Sequence, residues 1–312
     1  MIVNWQGEER LLRCIAALRA DLGDEHACEA ELIVVENGRD GRVSGAALDR
    51  WPGLQRVTLS ENFGFAVGVN AGIAVSEGEW VAVLNDDTAV EPGFHAAMCE
   101  QSVSAVPRCG MLQPCMIRSD DLTRIDSTGV ELRLGGDILD RDRDCLIDRS
   151  SGAGEVFCAT AGAAWYRREM LEELAADGFC FDPGYFMYFE DVDLGWRCRL
   201  AGWSARYVPR ALVRHDRHGS AAGHRSGFVK RQCARNRIRV LFANGSVVYV
   251  LRASPRLLRD LVWLLLDVGP RALVEIFSSA RSGLAARRCR PATYRLARPA
   301  LESEWFTTRG AE

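Results

Sequence analysis

Five apolar residues, Trp80 to Leu84, run without a break into Asn85-Asp86-Asp87-Thr88. A short, unbroken apolar run suits a strand buried on both faces, and the abrupt polar stop marks its carboxyl end. In an open α/β sheet, ligands sit beyond the carboxyl ends of the strands. Carboxylates placed there suit a hard divalent cation such as Mg²⁺ or Mn²⁺, which prefers oxygen ligands and shares them with substrate phosphates. An Asx-type turn capping the next helix explains the same tripeptide without any ligand. The remainder of the chain has to decide between the two.

The flanking segments repeat the pattern. Leu32-Ile33-Val34-Val35 reads as a second buried strand ending in Glu36-Asn37-Gly38, and Leu54 to Leu59 alternates as a third. Met1-Ile2-Val3-Asn4-Trp5 looks like the end of a strand. Its few apolar residues fall short of the usual length of about five or six, so the expectation is a chain that continues upstream. Leu11, Leu12, Ile15, Leu18 and Leu22 predict a helix over Glu8–Leu22, and Ala46–Arg50 a short one stopped by Pro52. Glu61 to Gly72 reads as a loop turning into a helix, with glycines at Gly64, Gly68 and Gly72. It is not G-x-G-x-x-G, so the dinucleotide fingerprint fails, and glycines four apart are explained by close packing of a helix face on a sheet. Asn62, Gly64 and Asn70 on this stretch are candidates for ligand contacts. Strand and helix alternating up to Asn85 predict βαβ units and a parallel sheet.

A helix from Pro92 to Val106 and a strand over Met111–Ile117 follow. From Ser119 to Gly154 the pattern dissolves into Asp, Arg and Gly, which reads as a solvated loop with exchangeable ion pairs. Apolar content resumes over Val156–Tyr166, then a helix over Arg168–Ala176. The aromatic turn Phe179–Phe189 leads into Glu190-Asp191-Val192-Asp193, the start of a helix that Gly202 ends. Acids in a first helical turn favour the helix dipole. At about 100° per residue, however, Glu190 and Asp193 share a face while Asp191 points elsewhere. One carboxylate is thus free to face a pocket beside an aromatic wall, as general-base work on a hydroxyl needs. Trp203–Val208 predicts one more short strand, and the polar stretch Val213–Ser220 supplies His215 and His218, imidazole being a common metal ligand.

Composition narrows the class. Eleven cysteines form no C-x-x-C pair and no secretory leader pattern opens the sequence, which predicts reduced thiols in a cytoplasmic protein without zinc. Lys230 is the only lysine, which excludes Walker-type phosphate loops and Schiff-base chemistry. The net charge of −3 conceals an asymmetry: residues 1–200 hold 18 arginines against 35 acids, whereas residues 201–259 hold 13 basic residues against Asp216 alone. Such a basic block faces phosphates or anionic lipid; no nucleic-acid module or aromatic stacking pattern accompanies it. Leu257 to Leu266 surround Trp263 in an apolar helical segment that Asp267 and Gly269-Pro270 end, short of the ~20 residues a spanning helix needs. With Ala272–Phe277 and bracketing arginines, it is expected to lie on an anionic membrane surface without crossing it, on the cytoplasmic face. The alternative is a helical pair packed on the rest of the chain.

Taken in order, I-V-N-W-Q-G, V-V-E-N-G, E-N-F-G-F-A-V-G-V-N, L-N-D-D-T, F-D-P-G-Y-F-M-Y-F-E-D-V-D-L-G-W-R, V-R-H-D-R-H-G-S and A-R-N-R resemble the family-2 glycosyltransferases, especially their bacterial rhamnosyltransferase-like branch. The resemblance covers about residues 1–245. It implies a GT-A fold, a Rossmann-like and mostly parallel sheet flanked by helices, with residues 1–117 binding a nucleotide-sugar and 118–245 serving acceptor and catalysis. Residues 246–312 would be a basic helical extension. It implies an inverting, metal-assisted transfer of a sugar, L-rhamnose from dTDP-rhamnose being one case, to a lipid-linked or polysaccharide acceptor. By position, Asn4, Glu36 and Asn62 would lie near the nucleoside. Asp87 would bind Mg²⁺ or Mn²⁺ with Asp86 beside it, His215 would lie near metal and diphosphate, and Asp191, second acid of the Glu190-Asp191 pair, would be the base. Two rival readings are an inactive module that binds nucleotide-sugar or lipid, and a nucleotidylyltransferase. The second expects a G-x-G-T-R-like loop and a lysine near the start, and neither is present.

Overall fold

The first four strands pair in parallel; β-branched and aliphatic runs bury the inner ones, while Gln55–Leu59 is largely exposed at the sheet edge. The computed structural model describes residues 1–26, 30–38, 51, 53–104, 106–216 and 226–306. Strands β1 (Ile2–Asn4), β2 (Ile33–Asn37), β3 (Gln55–Leu59) and β4 (Trp80–Asn85) lie side by side in the order β4-β1-β2-β3. The three-residue β1 holds a central place because Ile2 pairs with Val34 on one side and Leu84 on the other. Helix α1 (Glu8–His26) covers one face, and α2 (Phe65–Val75) the other. A Cβ at Gly68 would stand 2.7 Å from Val3 Cγ1, so the glycine face of α2 is a packing face. The short helix expected over Ala46–Arg50 lies outside the described residues, as does His218.

Three expectations for the middle of the chain are corrected. The helix predicted from Pro92 starts later, as α3 (Phe94–Ser104), because Thr88–Val90 is first used as strand β5. Asp21 of α1 caps it, accepting from the N–H groups of Gly93 (2.6 Å) and His95 (2.7 Å). The stretch read as a solvated loop carries β7 (Ile125–Ser127), β8 (Val130–Leu132) and β9 (Ile138–Asp140). Single buried residues, Ile125, Val130 and Leu132, anchor it among the acids and arginines, too sparsely to give a period. The strand expected over Trp203–Val208 runs on as β12 (Ser204–His215). Its register shifts between Val208 and Leu212, where Pro209 has no N–H to give, and pairing resumes with β6 (Cys109–Arg118) and β5.

The rest of the sheet is completed by β10 (Gly154–Val156) and β11 (Ala163–Arg167), the latter antiparallel between β4 and β6. Helices α4 (Arg168–Leu174) and α5 (Glu190–Leu200) follow, then α6 (Ser226–Asn244), α7 (Val247–Arg252), α8 (Ser254–Val268), α9 (Arg271–Arg288) and α10 (Thr293–Trp305). Part of this helical end shares the main core: Tyr249 and Phe306 stack against each other (4.5 Å) and against Trp196 of α5. Just after α9, Arg290 reaches Asp193 of α5 at 2.6 Å, beside the Arg197–Asp193 pair at 2.9 Å. Burial alone would push the Asp193 carboxyl up, but Arg290 and Arg197 hold it well below the usual range. Removing one partner from such a buried pair typically costs about 3–5 kcal/mol.

Candidate active site

At the carboxyl end of β4, the Asn85 carbonyl accepts from Thr88 Oγ1 (2.7 Å), closing a tight turn that holds Asp86 and Asp87. Both carboxylates are buried. Asp86 faces Arg10 of α1 at 3.4 Å; burial pushes its acid up to about 6, against the pull of that guanidinium. Asp87 faces the other way. The antiparallel register of β5 and β12 sets His215 opposite Thr88, which brings its Nε2 to 3.3 Å from Asp87 Oδ1. On the far side of the ring, His215 Nδ1 meets Asp126 Oδ2 of β7 at 2.7 Å. At that distance an Nδ1–H donates to the Asp126 carboxylate, which fixes the ring with Nε2 facing Asp87. Two donors of that kind face to face suit a divalent cation: hard carboxylate oxygen, imidazole nitrogen, and room for phosphate oxygens. Among the described residues, no three acidic, histidine or cysteine side chains converge to cage a metal unaided. Asp87 and His215 would therefore supply two ligands, and a diphosphate the others.

The other end of the site is built from the aromatic turn. Pro183–Tyr185 forms one 3₁₀ turn capped by Asp182, and Phe186, Tyr188 and Phe189 then adopt left-handed φ angles of 61°, 68° and 71°. Left-handed backbone at bulky residues is strained and persists only when its surroundings hold it. Here α6 does so: Asn236 Nδ2 donates to the carbonyls of Tyr185 (2.9 Å), Met187 (2.9 Å) and Tyr188 (2.7 Å), and Gln232 Nε2 donates to that of Tyr185 (2.7 Å). Gly64 closes the other side with φ of 89°, and a Cβ there would run into the Phe186 carbonyl. The turn ends by launching α5, whose first residues are Glu190 and Asp191.

These two acids are treated differently by their surroundings. Asp191 accepts from the backbone N–H of Ala161 (3.0 Å) and of Val192 (2.7 Å). Burial pushes its acid up, and those N–H groups partly offset this by favouring the anion. Glu190 is 5 % exposed, and its Oε2 has no hydrogen-bond partner among the described residues. Burial, and then the neighbouring Asp191, push its acid well above the usual carboxylate range.

A cavity of about 580 Å³ joins the two ends. Of the residues singled out in the sequence, Asn62, Gly64, Asp86, Asp87, Glu190, Asp191 and His215 line it. Asn4, Glu36 and Asn70 do not. Asn4 accepts from Gly7 N–H (3.1 Å), and Glu36 is held by Arg56 (2.9 Å) and Thr58 (3.0 Å) between β2 and β3. Asn70 clamps the aromatic segment, donating to the Phe181 carbonyl (2.6 Å) and accepting from the Cys180 and Phe181 N–H groups (3.0 Å each). Sequence reasoning missed Asp126 and Asp140, both in the stretch taken for a loop. Asp140 also lines the cavity, with its acid pushed up to about 6 by burial. No spacing signalled either; only their single buried apolar neighbours could have.

Comparison with known proteins follows the same outline. The model of the family described as "Glycosyltransferase like family 2" matches residues 1–238. An N-acetylglucosaminyl-diphospho-decaprenol L-rhamnosyltransferase of Mycobacterium tuberculosis is 30% identical over 238 residues, 64% of this chain and 73% of that enzyme. Among solved structures, GalNAc-T7 with UDP, GalNAc and Mn²⁺ superposes with a TM-score of 0.64 at 13% identity; the match covers 97% of this chain and 57% of that one. The mannosyltransferase PcManGT from Pyrobaculum calidifontis, with GDP-Man and Mn²⁺, gives 0.51 at 16% identity over 97% and 78%. These structural likenesses bear out the GT-A fold.

Proposed function

This chain belongs to the family 2 glycosyltransferases, and from that premise we propose that it transfers L-rhamnose from dTDP-rhamnose to a hydroxyl of a lipid-linked or polysaccharide acceptor, with inversion at the anomeric carbon. The observation that carries the reading is the opposition of two unlike ends in one cavity: Asp87 with His215 at one, the Asp191 carboxylate at the other. A nucleoside diphosphate leaves readily only when its developing charge is neutralised, and a divalent ion held by Asp87 and His215 would supply that. The acceptor hydroxyl loses its proton as its oxygen bonds to the anomeric carbon and the bond to the diphosphate breaks. We assign that proton to Asp191, which two backbone N–H groups orient and which they favour as the anion; Glu190, whose acid burial raises further, holds its own proton more readily. A glycosidase would use flanking carboxyls without a donor site. The choice of rhamnose and of a diphospholipid acceptor rests on the mycobacterial relative.

The test supplies dTDP-rhamnose, UDP- and GDP-sugars separately with Mn²⁺ and a prenyl-diphosphate-linked sugar acceptor, and follows product by mass spectrometry. Rhamnosylated product from dTDP-rhamnose is expected. Product only from another donor would overturn the rhamnose assignment, and none from any donor would overturn the enzyme reading.

A further inference from the structure

Ten of the eighteen large apolar side chains that stay exposed among the described residues fall between Val247 and Leu284. They are ordered. Leu258, Val262 and Leu266 recur every four residues along one face of α8, and Leu273, Val274 and Phe277 continue it on α9. The opposite faces are inward: Asp260 and Leu264 of α8, and Ala272, Ser279 and Gly283 of α9, are buried. The hairpin is therefore amphipathic with one face already used and one left open. A patch of this kind on an otherwise ordinary surface marks an interaction site.

Charge selects the occupant. Residues 246–290 hold eight arginines against Asp260, Asp267 and Glu275. Asp260 is buried with Arg237 (2.9 Å), and Glu275 pairs with Arg231 of α6. Arg252, Arg271, Arg281 and Arg288 stay exposed along α7 to α9, against Asp267 as the one exposed acid of the three; Arg259, also exposed, pairs with Asp137 (3.4 Å). A second copy of this chain would bring like charges together, whereas anionic headgroups complement them. No helix among the described residues is long and apolar enough to cross a membrane.

We propose that the open face of α8–α9 lies on an anionic lipid bilayer and sets the cavity beside the membrane surface. The placement follows from α6, the single helix between the two. Val229 and Cys233 on one side of α6 line the cavity, and Asn236 on that side holds the aromatic turn. On its other side Arg231 meets Glu275, and the Phe242 carbonyl accepts from Arg287 (3.2 Å), both partners belonging to α9. The buried Arg290–Asp193 pair then fixes the end of α9 to the helix that carries Asp191, so the hairpin cannot swing away. The usefulness of the surface to catalysis rests on the lipid-linked acceptor proposed above; lipid binding itself does not.

The experiment is flotation of the full chain with phosphatidylcholine vesicles, alone or mixed with phosphatidylglycerol, at low and high salt. The variants are the pair Leu266→Ser with Phe277→Ser, both highly exposed, and Arg271→Ala with Arg281→Ala. Mn²⁺-dependent binding of nucleoside diphosphate by calorimetry confirms that each variant is folded. Wild type should float with the anionic vesicles and release at high salt. The apolar pair should lower partitioning about tenfold or more, and each arginine about fivefold. Unchanged flotation of the apolar pair, or none of the wild type, overturns the proposal. So does a dimer in light scattering that the apolar pair abolishes, which would assign the face to a second copy. Flotation as expected without any sugar transfer would sink the catalytic reading and leave this one standing.

Discussion

The two ends of the cavity are made in different ways. Asp87 and His215 sit at strand ends, fixed by the register of β4, β5 and β12, so their position is a property of the sheet. Glu190 and Asp191 follow a strained turn that its local hydrogen bonds only begin to close; three of its carbonyls also accept from Asn236, 48 to 51 residues away. A sheet places a ligand pair cheaply, because ladder hydrogen bonds and side-chain alternation fix it. A turn that sets two adjacent carboxylates at one cavity needs a brace from elsewhere in the fold.

The sharpest way to break this comparison is to remove one function without the other. Asp191→Asn keeps the shape but takes no proton, so transfer should fall about 10²–10⁴-fold while Mn²⁺-dependent affinity for nucleoside diphosphate persists. If Asp191→Asn is active, the base lies elsewhere. Asp126→Asn attacks the opposite end: the ring of His215 loses its orienting carboxylate, and Mn²⁺ affinity should weaken about 10–100-fold. Calorimetry with and without Mn²⁺ reads this, and unchanged metal affinity would reduce Asp126 to a packing residue.

Asn236→Ala tests the brace. Losing the amide from the Met187 and Tyr188 carbonyls, while Gln232 still holds that of Tyr185, should cost about 1–3 kcal/mol of stability and slow transfer about tenfold, with nucleotide affinity little changed. Equal losses of nucleotide binding and transfer would show that the two ends are not separately built. The smallest expected effect is Glu190→Gln, since the amide mimics the protonated form that burial favours: transfer within about a factor of two. The pH dependence of stability carries its signature. With its folded-state acid raised, Glu190 keeps a proton that the unfolded chain releases above the ordinary carboxylate range, so wild-type stability declines as pH rises from there. Melting curves across pH should show a shallower decline in the variant; an unchanged slope would mean that Glu190 is ionised in the folded protein.

The sequence determined the parallel half of the sheet and the acidic end of the cavity at the carboxyl end of β4. Unbroken apolar runs at Leu32–Val35 and Trp80–Leu84 can be buried only in the middle of a layered sheet, and the polar residues that stop them must then fall at its carboxyl edge. The carboxylate pairing was half legible: helical spacing set Asp191 apart from Asp193, which Arg197 and Arg290 hold, but not from Glu190, which lines the same cavity. Tertiary structure alone decided the rest. It brought Asp126 and Asp140 into the cavity from a stretch with no period, and it sent Asn70 to brace the aromatic segment instead of lining the cavity. It also tied the C-terminal helices to α5 through Arg290. Periodicity reports only which face of an element is buried; a single polar contact between residues far apart in the chain leaves no repeat for it to read.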